Sequence, residues 1–199
     1  MFISFLIISF IIDFFSLFHY KWPRLISKQK AMNIKEFLEK FKSFTVQDFE
    51  HLTYAMIKPD AVVAKEDILQ DIERRGFKIL FQQEYQLSQE LAKNFYSEHA
   101  GKGFYDRLVA QMTAGSVVVL ILEKDGDVPC FQVWRGTLGA TNPENATEGT
   151  LRHFYTQKLF GGPEMYAQEK ATNCFHGADS VASVIRESNL VLYDIAMNS

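Results

Sequence analysis

The strongest constraint on the fold is Val117 to Leu122, an uninterrupted run of six aliphatic residues in a chain of 199. A short apolar run of this kind, rich in β-branched side chains, is typical of a strand that is buried on both faces. Gly115 separates the run from the segment before it and supplies a break in regular structure. The sequence therefore predicts a central strand, which needs apolar cover from other elements.

Shorter elements alternate on both sides of this run. Strands are predicted at Thr53 to Ile57, Phe77 to Leu87 and Thr172 to His176. Helices are predicted at Asp67 to Arg75, Ser88 to His99, Phe104 to Ala114, Val128 to Leu138 and Val181 to Leu192. The order of strand-helix-strand followed by helix-strand predicts an α+β sandwich, in which one sheet is covered by helices.

Composition indicates a globular domain without a disulfide framework and argues against a nucleic-acid partner. With 47% hydrophobic and 23% charged residues, the chain can bury the core of a globular domain. A net charge of -3 and a pI near 6.0 give no general attraction to nucleic acid, and we expect no nucleic-acid partner. Two cysteines cannot make a disulfide framework and are typical of a reducing compartment.

The first 31 residues differ from the rest. Phe2 to Phe18 is almost entirely apolar, with Asp13 as its only charge, and basic residues follow it. Its length is at the lower limit for a membrane span, and it lacks the basic start of a secretory signal. Three interpretations stay open: a spurious extension before a true start at Met32, a targeting segment, or a membrane anchor. An anchor followed by basic residues would leave the domain in the cytoplasm.

Residues 32–52 are predicted to form an amphipathic helical linker before a domain at residues 53–199. Asn33 has the short polar side chain of a helix N-cap. Four apolar residues follow at helical spacing: Ile34, Phe37, Leu38 and Phe41. This stripe predicts packing against the domain or against a partner subunit.

No common catalytic signature is present. The chain has no GxGxxG, no GxxxxGK[ST] and no His or Cys pair with zinc spacing, so we predict no metal site built by the protein. A dispersed polar set remains, namely Lys58, Arg135, Thr141, Asn142, Arg152 and His176. Its cations could hold a polyphosphate, and its histidine could accept a phosphoryl group. Glu187, on the helix that follows, could orient the imidazole.

Residues 53 to about 193 resemble the nucleoside diphosphate kinases. The resemblance rests on an ordered set of motifs: TYAMIKPDAV from Thr53, FYSEH from Phe95, Phe104 with Leu108-Val109, Trp134-Arg135, LGATNP from Leu138, GTLR from Gly149, and NxxHGxDS from Asn173. One such motif is weak evidence, whereas the set in this order is highly specific. The GATNP stretch is similar to bacterial members.

The resemblance implies a ferredoxin-like fold, with a four-stranded antiparallel sheet covered by helices. It also implies a ping-pong reaction, in which an NTP phosphorylates His176 and the phosphohistidine then phosphorylates an NDP. Glu187 matches the carboxylate that holds the ring. The phosphate and sugar contacts match Lys58, Tyr96, Arg135, Thr141, Arg152 and Asn173. Phe104 matches the residue that stacks on the base, and Mg²⁺ is expected to bind through the nucleotide phosphates.

The sequence departs from the family pattern in three ways: one residue and the lengths of two segments. Ala178 replaces a serine, which we expect to lower activity without abolishing it. The chain between Lys58 and Gly76 is shorter than in many members. The separation of Arg152 from Asn173 is about twice the usual one, so His153 to Thr172 contains an insertion, either a surface loop or a cover for the nucleotide pocket. These changes motivate an alternative: a catalytically weakened nucleotide-binding module that serves in interactions.

The resemblance also predicts how the chain assembles. Family members are usually hexamers or tetramers, and Pro143 matches the loop that supports those assemblies. We therefore expect a homo-oligomer. A cytoplasmic location is expected, with membrane attachment only if residues 2–18 are translated.

Overall fold

The centre of the fold is a four-stranded antiparallel sheet. The computed structural model describes residues 32–162 and 173–199. Its strands are β1 (Leu52–Ile57), β2 (Lys78–Tyr85), β3 (Val117–Glu123) and β4 (Phe175–Gly177). They lie in the order β2-β3-β1-β4. The predicted central strand is confirmed, because β3 contains Val117 to Leu122 and pairs with a neighbour on each side.

Alternating side chains divide the core into two layers, one on each face of the sheet. Tyr54 and Met56 of β1 belong to one apolar cluster, whereas Ala55 and Ile57 belong to the other. This is the two-residue period of a strand, and both faces are apolar because both are covered. All six residues of β1 are buried. The α+β fold predicted from the order of elements is therefore confirmed.

Seven α-helices in the described residues supply the cover. They are α1 (Ile34–Lys42), α2 (Lys65–Arg74), α3 (Gln89–Phe95), α4 (Tyr105–Met112), α5 (Cys130–Leu138), α6 (Leu151–Phe160) and α7 (Val181–Met197). Short 3₁₀ turns lie at Asp48–Glu50, Pro59–Ala64, Ser97–His99 and Pro143–Asn145. The buried apolar residues of α1, α3, α4 and α7 lie on one face of the sheet, and those of α2, α5 and α6 lie on the other.

Helix α1, the first in the described residues, begins at the predicted cap but covers only the first part of the linker predicted at residues 32–52. Asn33 accepts a hydrogen bond from the Glu36 amide at 2.9 Å, which satisfies one of the free N–H groups at the helix start. The apolar stripe is buried, and Phe37 lies 4.9 Å from the Phe81 ring of β2. The helix ends at Lys42, and α1 packs on the domain.

Helix α6 is the main departure from the expected elements. Residues 153–172 are predicted to contain an insertion, with a surface loop as one interpretation, but the first part continues α6. Its buried residues include Arg152 and Thr156, so it lacks the apolar stripe that identifies a helix in sequence. Tyr155 donates to Asp71 of α2 at 3.0 Å. Residues 163–172, the last part of the predicted insertion, lie outside the described residues, as does the apolar leader at residues 1–31.

The last predicted strand begins later than expected. The sequence predicts it at Thr172 to His176, whereas β4 covers Phe175–Gly177 and pairs with β1. Cys174 precedes it with φ of +62°, a left-handed conformation that ends regular strand geometry. No helix among the described residues is long and apolar enough to span a membrane.

Candidate active site

One cavity of about 400 Å³ collects every residue predicted for a nucleotide site. These are Lys58, Tyr96, Phe104, Arg135, Thr141, Arg152, Asn173, His176 and Glu187. They come from segments far apart in sequence, and pairing of β1 with β4 brings several of them together. Asn142, a member of the polar set, does not line the cavity, because its side chain caps the turn that begins at Pro143.

His176 lies on β4 with one ring nitrogen held by a carboxylate. Its Nε2 is 2.7 Å from Glu187 Oε2, and the Glu187 side chain is only 4% exposed. A carboxylate can only accept, so in the neutral imidazole this contact places the proton on Nε2 and leaves a lone pair on Nδ1. Within the described residues, Nδ1 has no hydrogen-bond partner.

Three aromatic rings surround this imidazole and fix its plane. Phe95 lies 5.0 Å from the His176 ring, and Tyr54 and Tyr96 each lie 6.0 Å away, all with tilted or edge-on geometry. Burial, reinforced by the Glu187 charge, raises the pKa of Tyr96. Its hydroxyl therefore stays protonated, and it has no hydrogen-bond partner within the described residues. It can donate to a group that enters the cavity.

Lys58 begins a chain of hydrogen bonds at the end of β1. Its Nζ donates to Asn173 Oδ1 at 2.8 Å, and Asn173 Nδ2 donates to the Thr141 carbonyl at 2.9 Å. The left-handed Cys174 supports this arrangement, because its carbonyl accepts from the Lys58 amide at 2.9 Å. Burial, reinforced by the nearby Arg152 charge, lowers the pKa of Lys58 to about 8.

Two arginines are anchored to backbone carbonyls. Arg152 donates to Gly139 at 2.6 Å and to Phe175 at 3.2 Å, and the residue is only 6% exposed. Arg135 donates to the Gly177 carbonyl at 3.3 Å. These bonds to neutral carbonyls hold the two guanidinium groups in place at the cavity. An anionic ligand would complete such a site.

Gly177 allows α5 to approach the histidine strand closely. A Cβ at this position would lie 2.6 Å from Trp134 Cδ1, which no side chain could tolerate without a shift. The indole Nε1 is 3.5 Å from the His176 carbonyl. The glycine thus lets Trp134 and its neighbour Arg135 lie against β4.

The other end of the cavity is open and aromatic. Phe104 is 42% exposed and lies 5.5 Å from His99, whose ring stacks at 6.2 Å on Tyr96. Lys102 Nζ lies 5.9 Å from the Phe104 ring centroid. An exposed ring face beside a polar cavity is suited to stacking on a flat heterocycle.

Sequence reasoning missed several lining residues, including Glu98, His99, Leu108 and Asp179. Their side chains have no distinctive spacing, so only the ordered motifs around them could have identified them. Glu98 and Asp179 add two carboxylates to a cavity that is otherwise rich in cations. Hydrogen bonds, led by the one from Ser183, lower the pKa of Asp179. In the residues that the structure describes, no group of three or more His, Cys, Asp or Glu could hold a metal ion.

Comparison with known proteins settles the family. A family model described as nucleoside diphosphate kinase matches residues 51–196. The chain belongs to the nucleoside diphosphate kinase family. It is therefore a phosphotransferase that acts on nucleotides, as the ordered motifs predict.

Solved nucleoside diphosphate kinases have the same fold. The enzyme of Halobacterium salinarum in complex with CDP is 31% identical, with a TM-score of 0.59 over 70% of this chain and 85% of that one. The apo enzyme of Encephalitozoon cuniculi is 26% identical, with a TM-score of 0.58 over 70% and 87%. The Aquifex aeolicus enzyme is 26% identical, with a TM-score of 0.54 over 71% and 94%.

Ala178, where the family resemblance leads us to expect a serine, directly follows the histidine strand β4. Ala178 is 1% exposed, and its amide donates to the Tyr54 carbonyl at 3.1 Å. The position is therefore fixed by the backbone and packed in the core. The next residues begin α7, where Ser180 accepts from the Ser183 amide and caps the helix.

Proposed function

We propose that this chain transfers the γ-phosphate of an NTP to an NDP by a ping-pong mechanism, through a phosphohistidine at His176 Nδ1. The observation that carries the proposal is the orientation of the imidazole. Glu187 holds Nε2 at 2.7 Å, and the ring lies in the same cavity as Lys58, Arg135 and Arg152. A nucleophilic nitrogen and three cations in one cavity match the needs of phosphoryl transfer.

In the first half-reaction, the Nδ1 lone pair attacks the γ-phosphorus. A nitrogen–phosphorus bond forms as the bond from phosphorus to the β-γ bridging oxygen breaks, and the NDP leaves with that electron pair. The ring keeps its Nε2 proton and gains positive charge, which the Glu187 carboxylate stabilises. In the second half-reaction, a terminal β-phosphate oxygen of another NDP attacks the phosphohistidine, and the imidazole leaves as the neutral tautomer.

The cations act on the phosphate oxygens. Negative charge grows on the bridging oxygen during cleavage, and fixed guanidinium groups stabilise it without reorganisation. In this proposal Lys58 and Asn173 contact phosphate and sugar, together with Tyr96 and Thr141. Mg²⁺ bound through the nucleotide phosphates would neutralise part of their charge. Since Mg²⁺ keeps several water ligands, Glu98 and Asp179 are suited to accept hydrogen bonds from such waters.

Phe104 is proposed to stack on the nucleotide base. Stacking uses the face of the ring and does not read the hydrogen-bonding edge, so different bases should bind similarly. The exposure of Phe104 supports this role, because a base can reach its free face without displacing core residues.

The test is transfer of label from ATP carrying ³²P at its γ-position to the full chain. We expect an acid-labile label that is lost in His176→Ala. His153→Ala is a matched control, because His153 lies on α6 with Nδ1 3.2 Å from the Ala146 carbonyl and should leave labelling intact. Adding unlabelled NDPs should discharge the protein and yield labelled NTPs with several bases.

The weakened-module alternative gives a different result. It predicts folded protein that binds nucleotide, measured by calorimetry, but acquires no label at any nucleotide concentration. That outcome would reject catalysis through His176 and direct attention to Ala178 and the insertion.

We also propose that the chain forms a homo-oligomer, either a hexamer or a tetramer. The resemblance at Pro143 supports it, and this proline is buried in the structure. Analytical ultracentrifugation of the full chain would measure the mass, and a monomer at micromolar concentration would contradict the proposal.

The organisation into a leader at residues 1–31, a linker at 32–52 and a kinase domain at 53–199 also stays a proposal. The domain is proposed to be cytoplasmic, whether or not an anchor precedes it. Mass spectrometry of the native N-terminus, with cell fractionation, would test both statements. A native chain that retains residues 2–18 and sediments with membranes would favour the anchored form.

A further inference from the structure

Arg186 joins the helix that carries Glu187 to the helix that packs against the imidazole. Its NH2 donates to Glu187 Oε1 at 3.1 Å, and its NH1 donates to the Phe95 carbonyl at 3.2 Å. The guanidinium carbon also lies 6.0 Å from the Phe95 ring centroid. One side chain therefore contacts both the carboxylate that holds His176 and the end of α3, where Phe95 and Tyr96 surround the ring.

The two oxygens of Glu187 have separate partners. Oε2 contacts His176 Nε2, and Oε1 accepts from Arg186. Because Glu187 is almost fully buried, the direction of its carboxylate depends on these donors. A rotation of the carboxylate would weaken its hydrogen bond with Nε2 and so weaken the preference for the tautomer with the proton on Nε2.

We infer that Arg186 is a positioning residue: it orients the Glu187 carboxylate so that the His176 imidazole presents Nδ1 to the cavity. The inference rests on the proposed phosphoryl transfer and adds a residue to it. Arg186 does not line the cavity, so it acts through Glu187 and not on the substrate.

A guanidinium suits this role better than an ammonium. Arg186 uses two different nitrogens for two acceptors in a fixed plane, which a lysine cannot reproduce. Its side chain is 41% exposed, so the ion pair itself should add little to folding stability. Replacing Arg186 should therefore change the rate of phosphohistidine formation more than it changes the free energy of unfolding.

The first test measures the rate of phosphohistidine formation in Arg186→Gln, Arg186→Lys and Glu187→Gln, and in both double variants. Loss of a hydrogen bond to a charged group predicts about a tenfold slower rate for R186Q. R186K should recover part of that loss. In the E187Q background, R186Q should change the rate less than about twofold, because the group it orients is already altered.

A full additional loss in the E187Q background, or a wild-type rate in R186Q, would overturn the inference. Arg74→Gln is the matched control, because Arg74 lies on α2 with a 70% exposed side chain and should not affect the rate. If R186Q does not fold, as judged by urea unfolding, R186K and its double variant carry the same comparison.

A second readout does not depend on catalysis. Nitrogen-15 NMR of the imidazoles reports which ring nitrogen of His176 carries the proton. The full chain should show mainly the Nε2–H tautomer, and R186Q should show a mixture of tautomers. A wild-type protein that acquires no ³²P from ATP would reject the proposed function alone. An unchanged tautomer in R186Q would reject the role of Arg186.

Discussion

The two ends of the cavity are built differently. At the inner end, Lys58 and Arg152 are buried and bound to fixed acceptors of neighbouring segments. At the outer end, Phe104 is exposed and held mainly by packing. Acceptors of this kind hold the two cationic groups in fixed positions before any nucleotide binds. The inner end is therefore organised in advance for phosphates, whereas the outer end accepts a flat surface with few requirements.

The largest expected effect is at the inner end. Arg152→Lys keeps the positive charge but cannot reach both the Gly139 and Phe175 carbonyls. We expect kcat/KM to fall about a hundredfold, the scale for losing one fixed donor to a developing charge. Steady-state kinetics with urea unfolding would separate this effect from a loss of folding.

Arg135→Lys is the matched comparison for that prediction. Arg135 is exposed and donates to Gly177 at a longer 3.3 Å, so its replacement should cost less than that of Arg152. Equal losses in the two variants would show that burial and backbone anchoring do not set the contribution of each arginine.

The second expected effect is a pH dependence of nucleotide binding that originates at Lys58. Its pKa of about 8 means that the free protein loses this charge as pH rises through 8. If binding needs the protonated form, the apparent Kd at pH 9 should be about tenfold larger than at pH 7. Isothermal titration calorimetry with an NDP would measure it.

Lys58→Arg supplies the control for that titration, because a guanidinium stays charged over this pH range. Its affinity can be lower overall, but it should not weaken further between pH 7 and pH 9. A wild-type affinity that is flat over the same range would contradict the prediction. A slope that persists in the variant would assign the titration to another group.

The outer end should contribute less than the inner end to nucleotide affinity, and its contribution should be the same for every base. Phe104→Ala removes the stacking surface and should raise the Kd of each NDP about fivefold. Phe104→Trp keeps a ring and should bind within about twofold of wild type. Measurements with purine and pyrimidine diphosphates would test the comparison, and a loss confined to one base would show that this end selects among bases.

Prediction from the sequence succeeds where local pattern or ordered motifs carry the information. The six-residue run of β3 and the Asn33 cap of α1 form as local physics dictates. Lys58 and Asn173 meet across 115 positions, and only the ordered motifs indicated that they belong to one site. Their roles, and those of the other lining residues, stay predictions.

The features that the sequence did not predict depend on tertiary context. Helix α6 buries Arg152 and Thr156, so its buried face carries polar residues that local periodicity assigns to solvent. Arg186 bonds to the residue that directly follows it, a spacing at which helical side chains do not ordinarily face each other. The left-handed Cys174, which sets the start of β4, belongs to a residue type that seldom adopts that conformation.

The smallest expected effect concerns Ala178, which is buried in the core and lines neither end of the cavity. Ala178→Ser would place a hydroxyl next to the histidine, where the family resemblance puts one. Both Glu187 oxygens already accept a hydrogen bond, so a third donor should add little to the orientation of the carboxylate. A buried hydroxyl also costs desolvation unless it finds a partner. We therefore expect phosphohistidine formation to rise by less than about threefold.

Ala178→Cys is the matched control, since a thiol of similar size is a weak donor and should give no gain. A much larger gain for serine alone would show that the two donors to Glu187 do not suffice, and that the alanine lowers the rate of phosphohistidine formation.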